Sequence, residues 1–464
     1  MRQRRGHAIM VAFPFQGHIT PYMNLAMKLA SKGFLVTFVH LEFIHHKLLS
    51  SLSEPDPFTM ARKSGLDIRY TTISDGFPID HDRVDDKYWE FMLLNFWIRV
   101  DEFVGKLIRS SDPDLVPFLV TDTLFTWQTA VAEKHNLLKV SFWTEPALVF
   151  SLAYHVQLLR ENGHFPCKDH VEEEINYVDG VKSVNTKDLM PYLKECRSRT
   201  LVHKVQMKAF DEVKKADFIL HNTVYELESG ILSALNKIQP NYAVGPISFS
   251  RNLPASVTRT LWSESDCSVW LRSKPPGSVL YISFGSSLQD SKQIVGEIAY
   301  GLLLSKVSFV WVVREDADLP SSFRDEITER GLVVPWCNQI KVLSDPAVGG
   351  FLTHCGWNSV LESMWCGVPM ICHPLDYDQP TNRKLVVDDW KVGINLCEGG
   401  CVEREEVCEK MDGFMNGGVS ERLRKEMKKV REKLHDALEN DGSSEANFEQ
   451  FVKDLKAKLA ANAE

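Results

Sequence analysis

The chain's strongest constraint on fold is an alternation of short apolar runs with longer helical patterns, and it occurs twice. His7 to Phe13, Pro21 to Ser31 and Phe34 to His40 read as strand, helix, strand, and Val279 to Phe284, Lys292 to Leu304 and Ser308 to Val313 repeat the order. Each set predicts a parallel sheet covered by helices, so the expected class is α/β with two Rossmann-like domains in tandem. The boundaries follow from where the periods fail. Residues 1–246 form the first domain, and 247–265 a linker in a stretch of turn residues that includes Gly245, Pro246, Asn252 and Pro254. Residues 266–440 form the second domain, and 441–464 a helix expected to pack back on the first. In open parallel sheets ligands lie beyond the carboxyl ends of the strands, so two such sheets facing each other frame a cleft.

Composition narrows the function. The 464 residues, 44% hydrophobic and 25% charged, are enough for two cores. A net charge of -9 argues against nucleic acid, whose backbone is gripped by concentrated Lys and Arg. Arg2, Arg4 and Arg5 ahead of Ala8 to Phe13 look like the start of a secretory signal, but Pro14, Gln16 and His18 end the apolar run at strand length. No uncharged stretch reaches the roughly 18 to 20 residues of a membrane span. The ten cysteines include no CxxC pair, and Cys397, Cys401 and Cys408 have no companion cluster for zinc. A cytoplasmic monomer is expected. The charges after Val419, among them Glu421, Arg422, Arg424 and Lys425, read as a solvated helix face.

Gly349 to Thr353 reads as a buried strand and Asn358 to Cys366 as the helix after it, joined by His354-Cys355-Gly356-Trp357-Asn358-Ser359. A glycine turn admits a ligand close to the backbone, Asn358 is a good cap type, and a helix start with about half a positive charge suits a diphosphate. Trp336, in a loop after a strand, is suited to stacking on a base. Glu362, one helical turn past Asn358, is placed to accept from ribose hydroxyls. Asp378-Gln379, after strand Val368 to Cys372, suits sugar hydroxyls.

The 44 positions from Trp336 to Gln379 closely resemble the signature box of the plant family 1 UDP-glycosyltransferases, matching at Trp336, Gln339, Gly349, Phe351, His354, Gly356 to Ser359, Glu362, Gly367 to Pro369, Pro374, Asp378 and Gln379. The likeness extends over nearly the whole chain and implies the GT-B fold. It implies that Trp336 stacks on uracil, Gln339 and Glu362 hold the ribose, and His354, Asn358 and Ser359 bind the diphosphate. It further implies that Ser286 is another phosphate contact, that Cys337 lies in the donor pocket, and that Trp357, Asp378, Gln379 and Thr144 contact the sugar. A final Gln implies UDP-glucose as donor. Asn338, Asp345 and Tyr377 depart from the box, where the family tends to have Pro, His and a small residue.

A neutral hydroxyl attacks carbon poorly until its proton is taken, so such an enzyme needs a base. His18, after the first strand in Gly17-His18, and Asp122, at the end of strand Phe118 to Thr121, are each open to bland readings as a structural histidine and a helix cap. The resemblance makes them base and orienting partner, with inversion at the anomeric carbon and no metal. Four scattered Asp-x-Asp pairs, Asp80/Asp82, Asp112/Asp114, Asp316/Asp318 and Asp376/Asp378, argue for no cation site. Phe15, Tyr88, Trp89, Phe91, Met92, Phe96, Trp97, Trp143 and Phe150 supply an apolar acceptor pocket suited to a terpenoid, including a diterpenoid, or a flavonoid. The alternatives are C-glycosyl transfer on the same fold, a non-catalytic UDP-sugar-binding protein, and a nucleotide-sugar epimerase or hydrolase.

Overall fold

The computed structural model describes residues 4–49, 56–83, 86–168, 171–197, 200–250, 264–285, 292–314, 319–397 and 401–462. The chain divides into two compact units, Met1–Leu261 with Asp436–Glu464, and Trp262–His435. Most of the expected linker, 251–263, lies outside the described residues; Ile247–Phe249 before it forms a 3-10 turn.

The first unit holds seven parallel strands: β1 (Arg5–Val11), β2 (Leu35–Leu41), β3 (Ile68–Ile73), β4 (Leu115–Asp122), β5 (Leu138–Trp143), β8 (Phe218–His221) and β9 (Asn241–Ala243), in the order β3-β2-β1-β4-β5-β8-β9. A two-stranded hairpin, β6 (Glu174–Ile175) and β7 (Val184–Asn185), stands apart. All seven residues of β2 and all six of β5 are buried, as expected of strands covered on both faces. The second unit has six parallel strands: β10 (Val279–Ser283), β11 (Ser308–Val312), β12 (Gly331–Val334), β13 (Val348–Thr353), β14 (Met370–Cys372) and β15 (Gly393–Asn395), in the order β12-β11-β10-β13-β14-β15.

Strand order reverses once in each sheet, between β1 and β4 and between β10 and β13. At such a point the connections leave in opposite directions and open a crevice at the carboxyl ends of the two strands. The first helix runs Gln16–Ser31 and so starts five residues before Pro21, the expected start. His18 therefore stands in the first turn of a helix and not in a loop. Pro21, the sixth residue of this helix, has no amide to give the Gly17 carbonyl.

The charged segment near the C-terminus forms the helix Gly418–Ala437, with Ser420, Leu423, Met427, Val430, Leu434 and Ala437 buried along one stripe and the expected charges facing water. The last helix, Ser443–Asn462, is fastened to the N-terminal half. Ser444 Oγ donates to the Gly245 carbonyl at 2.6 Å and Asn447 Nδ2 to that of Ala243 at 3.0 Å. Lys28, 3% exposed, donates to Glu445 at 2.6 Å; burial pulls its ammonium below the usual range, and Glu445 opposes that shift. Phe451 packs edge-on to Phe218 and Tyr242. No helix among the described residues is long and apolar enough to cross a membrane.

Phe451 is completely buried. Phe451→Ala is expected to cost about 3–5 kcal/mol of unfolding free energy in urea. A loss below about 1 kcal/mol would show that the last helix lies outside the cooperative unit.

Candidate active site

At the first reversal, β1 Val11 pairs with β4 Thr121, and the helix after β1 and the last residue of β4 each supply one partner of a hydrogen bond. His18 Nδ1 lies 2.7 Å from Asp122 Oδ2, with side chains 11% and 1% exposed. An ionised carboxylate only accepts, so Nδ1 bears the proton of this hydrogen bond. Asp122 Oδ1 accepts from the Leu124 amide at 3.0 Å. The helix that follows starts at Gln128, so Asp122 closes the turn and does not cap that helix. Thr144, just past β5, brings Oγ1 to 3.0 Å from the same Nδ1. Phe13 and Phe15 lie 5.3 and 6.4 Å from the His18 ring, and Trp89 packs on both phenylalanines. Gly17 is exposed in the first turn of the same helix.

Several residues expected at an acceptor pocket are core instead. Phe96, Trp143 and Phe150 are fully buried, and Trp143 donates its indole N–H to the Pro146 carbonyl at 2.9 Å. Tyr88 is 1% exposed, whereas Trp97 is 37% exposed. Aromatic type alone does not separate core from pocket, because both reward the same apolar area.

At the second reversal, Ser283 of β10 pairs with Thr353 of β13, so the turn at Gly285 and the residue His354 follow neighbouring strand ends. The His354 ring fills a slot between two glycines. A Cβ at Gly285, where φ is +81°, would lie 2.7 Å from His354 Nε2, and one at Gly356 would lie 2.4 Å from it. Burial drives the imidazole down to about 4, partly opposed by a hydrogen bond to the Ser283 main chain, so His354 is neutral near pH 7. Its Nδ1 has no partner among the described residues. Ser286 lies outside the described residues.

The helix Trp357–Cys366 is capped by Gly356, which has no side chain to offer, and Asn358 is its second residue rather than its cap. The cap residue therefore places no side chain over the helix start, the end that favours an anion. Trp357 is buried, with its ring 6.1 Å from that of Trp390. Gln339 Nε2 donates to Glu362 Oε2 at 2.7 Å and to Ser359 Oγ at 2.9 Å, while Tyr281 donates to Gln339 Oε1 at 3.3 Å. The two expected ribose ligands are thus tied to each other. Burial lifts the Glu362 carboxyl to about 7, and the Gln339 bond holds it partly down. Trp336 is half-buried and its carbonyl accepts from the Ser265 amide at 2.9 Å. Cys337 is buried with its thiol 3.7 Å from the Tyr281 hydroxyl.

Asp378 and Gln379 are both buried. Gln379 Oε1 accepts from the Leu375 and Asp376 amides at 2.8 and 3.1 Å, which fixes the amide orientation and leaves its NH2 end for a ligand. Asn382 Nδ2 bridges Asp378 Oδ2 at 2.5 Å and the Cys355 carbonyl at 2.8 Å, joining the sugar end of the segment to the His354 turn. The departures from the family box have local explanations. Asn338 caps the helix Gln339–Leu343 through the Lys341 amide, Asp345 accepts from the Ala347 amide, and Tyr377 sits at φ +56° in a tight turn.

A hydrogen-bonded histidine and aspartate at one strand-order reversal and a glycine-capped helix start at the other match the chemistry of sugar transfer from a nucleotide. Residues 200–399 match the family model described as UDP-glucoronosyl and UDP-glucosyl transferase. The chain is 49% identical to UDP-glycosyltransferase 86A1 of Arabidopsis thaliana, over 99% of this chain and 96% of that one. The chain belongs to the plant family 1 UDP-glycosyltransferases. It is also 34% identical to the 7-deoxyloganetin glucosyltransferase of Gardenia jasminoides, over 97% of this chain and 98% of that one. Among solved structures, a UDP-glucose: anthocyanidin 3-O-glucosyltransferase in complex with UDP superposes with a TM-score of 0.84 at 25% identity, over 99% of this chain and all of the other. This UDP-glycosyltransferase therefore has the two Rossmann-like domains of the GT-B class and transfers sugar from a UDP-sugar donor.

Four buried polar residues beside the expected site residues went unread in the sequence: Gln128, Glu228, Tyr281 and Asn382. Gln128 is fully buried, donates to the carbonyls of Asp122, Thr123 and Phe125, and accepts from Thr121. Each completes groups outside its own element, and the strand and helix periods carry no signal for that.

Gly356 has φ −60° and ψ 138°, which alanine accepts, so the cost of Gly356→Ala is the clash with His354 alone. Gly356→Ala should weaken UDP binding by about tenfold or more, and by titration calorimetry the same change should do far less in a His354→Ala background. Equal losses in both backgrounds would place the effect elsewhere. Glu362 makes a pH prediction. Its carboxyl sits at about 7 when folded against an ordinary 4.5, so ionisation costs stability progressively from pH 4.5 to 7 and fully above. Glu362→Gln relieves that cost. The Tm of the ligand-free variant relative to wild type should be most favourable above pH 7 and fall toward zero near pH 4.5, and a pH-independent difference would contradict the assignment.

Proposed function

We propose that this enzyme transfers glucose from UDP-glucose to a hydroxyl of a small apolar plant secondary metabolite, with His18 as general base and inversion at the anomeric carbon. The observation behind this reading is the His18–Asp122 hydrogen bond of 2.7 Å at the carboxyl ends of β1 and β4. Asp122 fixes the tautomer, Nε2 takes the acceptor proton as its oxygen attacks, and Asp122 then stabilises the imidazolium. The leaving UDP is received at the start of the helix Trp357–Cys366, whose amides supply positive potential without a metal, beside the buried His354. Glucose is favoured by Gln379, whose NH2 end is directed at an acceptor oxygen by the two loop amides on its Oε1.

Phe13, Phe15 and Trp89 around His18 favour an apolar acceptor. A relative that glucosylates 7-deoxyloganetin and a structural neighbour that glucosylates anthocyanidin at a 3-hydroxyl support a terpenoid or flavonoid. Ten free thiols, Cys337 and Cys355 among those buried, suit a reducing cytoplasm.

His18→Ala should lower turnover of a phenolic or terpenoid alcohol by about 10² to 10⁴, the usual contribution of a positioned base. UDP affinity should stay within about twofold, because Trp336, Gln339 and His354 belong to the other unit. Products are read by mass spectrometry and NMR. Unchanged turnover removes His18 as base. A carbon-linked product would favour C-transfer, and UDP binding without turnover on any acceptor a non-catalytic role.

A further inference from the structure

Glu228 is a buried carboxylate, 4% exposed, that the proposed chemistry does not use. It lies in the helix Tyr225–Asn236 at a break in helical geometry, φ −134° and ψ 31°. Its Oε2 accepts from the Ala147 amide at 3.0 Å and from Thr223 Oγ1 at 2.5 Å, and its Oε1 accepts from the Leu148 amide at 2.8 Å. Ala147 and Leu148 are the first two residues of the helix Ala147–Tyr154, which has no side-chain cap of its own because Pro146 precedes it. A carboxylate is the best substitute there, since it meets both orphan amides and the positive end of the helix. On the other side, the carbonyl of Trp143 is held by the Asn222 amide at 2.9 Å. Thr144 is thus clamped from both directions, and its Oγ1 lies 3.0 Å from His18 Nδ1.

We propose that Glu228 is a positioning residue for the base: by fixing the start of the helix Ala147–Tyr154 it holds Thr144 Oγ1 as a second acceptor for the His18 Nδ1 proton. One acceptor leaves the imidazole free to pivot about the Nδ1···Oδ2 line. Two acceptors on one N–H fix the ring plane and with it the direction of the Nε2 lone pair. This assigns Thr144 to the base, whereas a sugar-contact role would act on donor binding. The inference rests on His18 being the base.

The test is steady-state kinetics with UDP-glucose and whichever alcohol of a phenolic and terpenoid panel the wild type turns over. Thr144→Val should lower kcat by about five- to tenfold, one hydrogen bond's effect on a barrier, with KM for UDP-glucose within about twofold. Thr144→Ser, which keeps the hydroxyl, should restore most of kcat. Glu228→Gln should lower kcat by a similar factor, and the Thr144→Val, Glu228→Gln double variant should be no slower than the worse single. Wild-type kcat in Glu228→Gln, independent losses in the double variant, or a Thr144→Val effect confined to KM for UDP-glucose would each overturn the proposal. Should Glu228→Gln not fold, Thr223→Val removes one donor to the same carboxylate. It is expected to lower kcat non-additively with Thr144→Val, and unchanged kcat there overturns the proposal. His18→Ala separates the two levels. Full activity in it removes the base assignment, while an inactive His18→Ala beside wild-type Thr144→Val and Glu228→Gln removes only the positioning role.

Discussion

Each sheet is built outward in both directions from its first strand, and the site depends on that pairing. β1 is bonded to β2 on one side and β4 on the other, and β10 likewise to β11 and β13, all in parallel. Parallel neighbours must be joined by crossovers, and at a reversal of order those crossovers diverge, so the ends of the two central strands are left uncovered. Register then determines what meets there. Val11 opposite Thr121 puts the turn after β1 beside Asp122, and Ser283 opposite Thr353 puts Gly285 beside His354. A slip of one residue in either pair would turn the alternate side chains to the other face and separate the partners.

The second unit meets an anion with little formal charge. His354 is neutral because burial has driven it to about 4, and Glu362 is lifted to about 7 by the same cause. Positive potential comes instead from peptide dipoles at a helix whose cap residue is glycine, with φ +81° at Gly285 permitting the backbone to pass close to the ring. Such fixed dipoles need no reorganisation when charge arrives, which is the property that favours a departing diphosphate. The His18–Asp122 pair follows a related logic, since Asp122 is 1% exposed and its carboxylate is met by His18 and a main-chain amide.

The sequence made legible whatever repeats or is chemically distinctive. The strand and helix periods gave both sheets, and the box from Trp336 to Gln379 gave the family. Burial and exact starts were less legible. The first helix begins at Gln16, five residues ahead of Pro21, and no period distinguishes that stretch from a loop. Trp143 and Phe150 have the same composition as a pocket wall, yet they pack on each other at 5.6 Å inside the first unit. Asn358 has the chemistry of a cap, but glycine took that place because a Cβ there would strike His354.

What escaped reading altogether has a shared physical origin. Past the end of a strand the backbone loses its ladder, and its amides and carbonyls must find partners elsewhere or cost free energy. A loop that also holds a reacting group cannot solve this by moving. Gln128 takes three carbonyls of the Asp122 turn, Asn382 takes the Cys355 carbonyl, and Glu228 takes two amides after Thr144. Gln128 lies 6, 5 and 3 residues from its carbonyls, whereas Asn382 lies 27 and Glu228 80 or 81 residues from the backbone they complete. The partners of Asn382 and Glu228 are set by the tertiary fold rather than by local spacing. Satisfying the loops' backbone and holding Asp122, the His354 turn and Thr144 in place are therefore one requirement, met in each case by a buried polar side chain from another element.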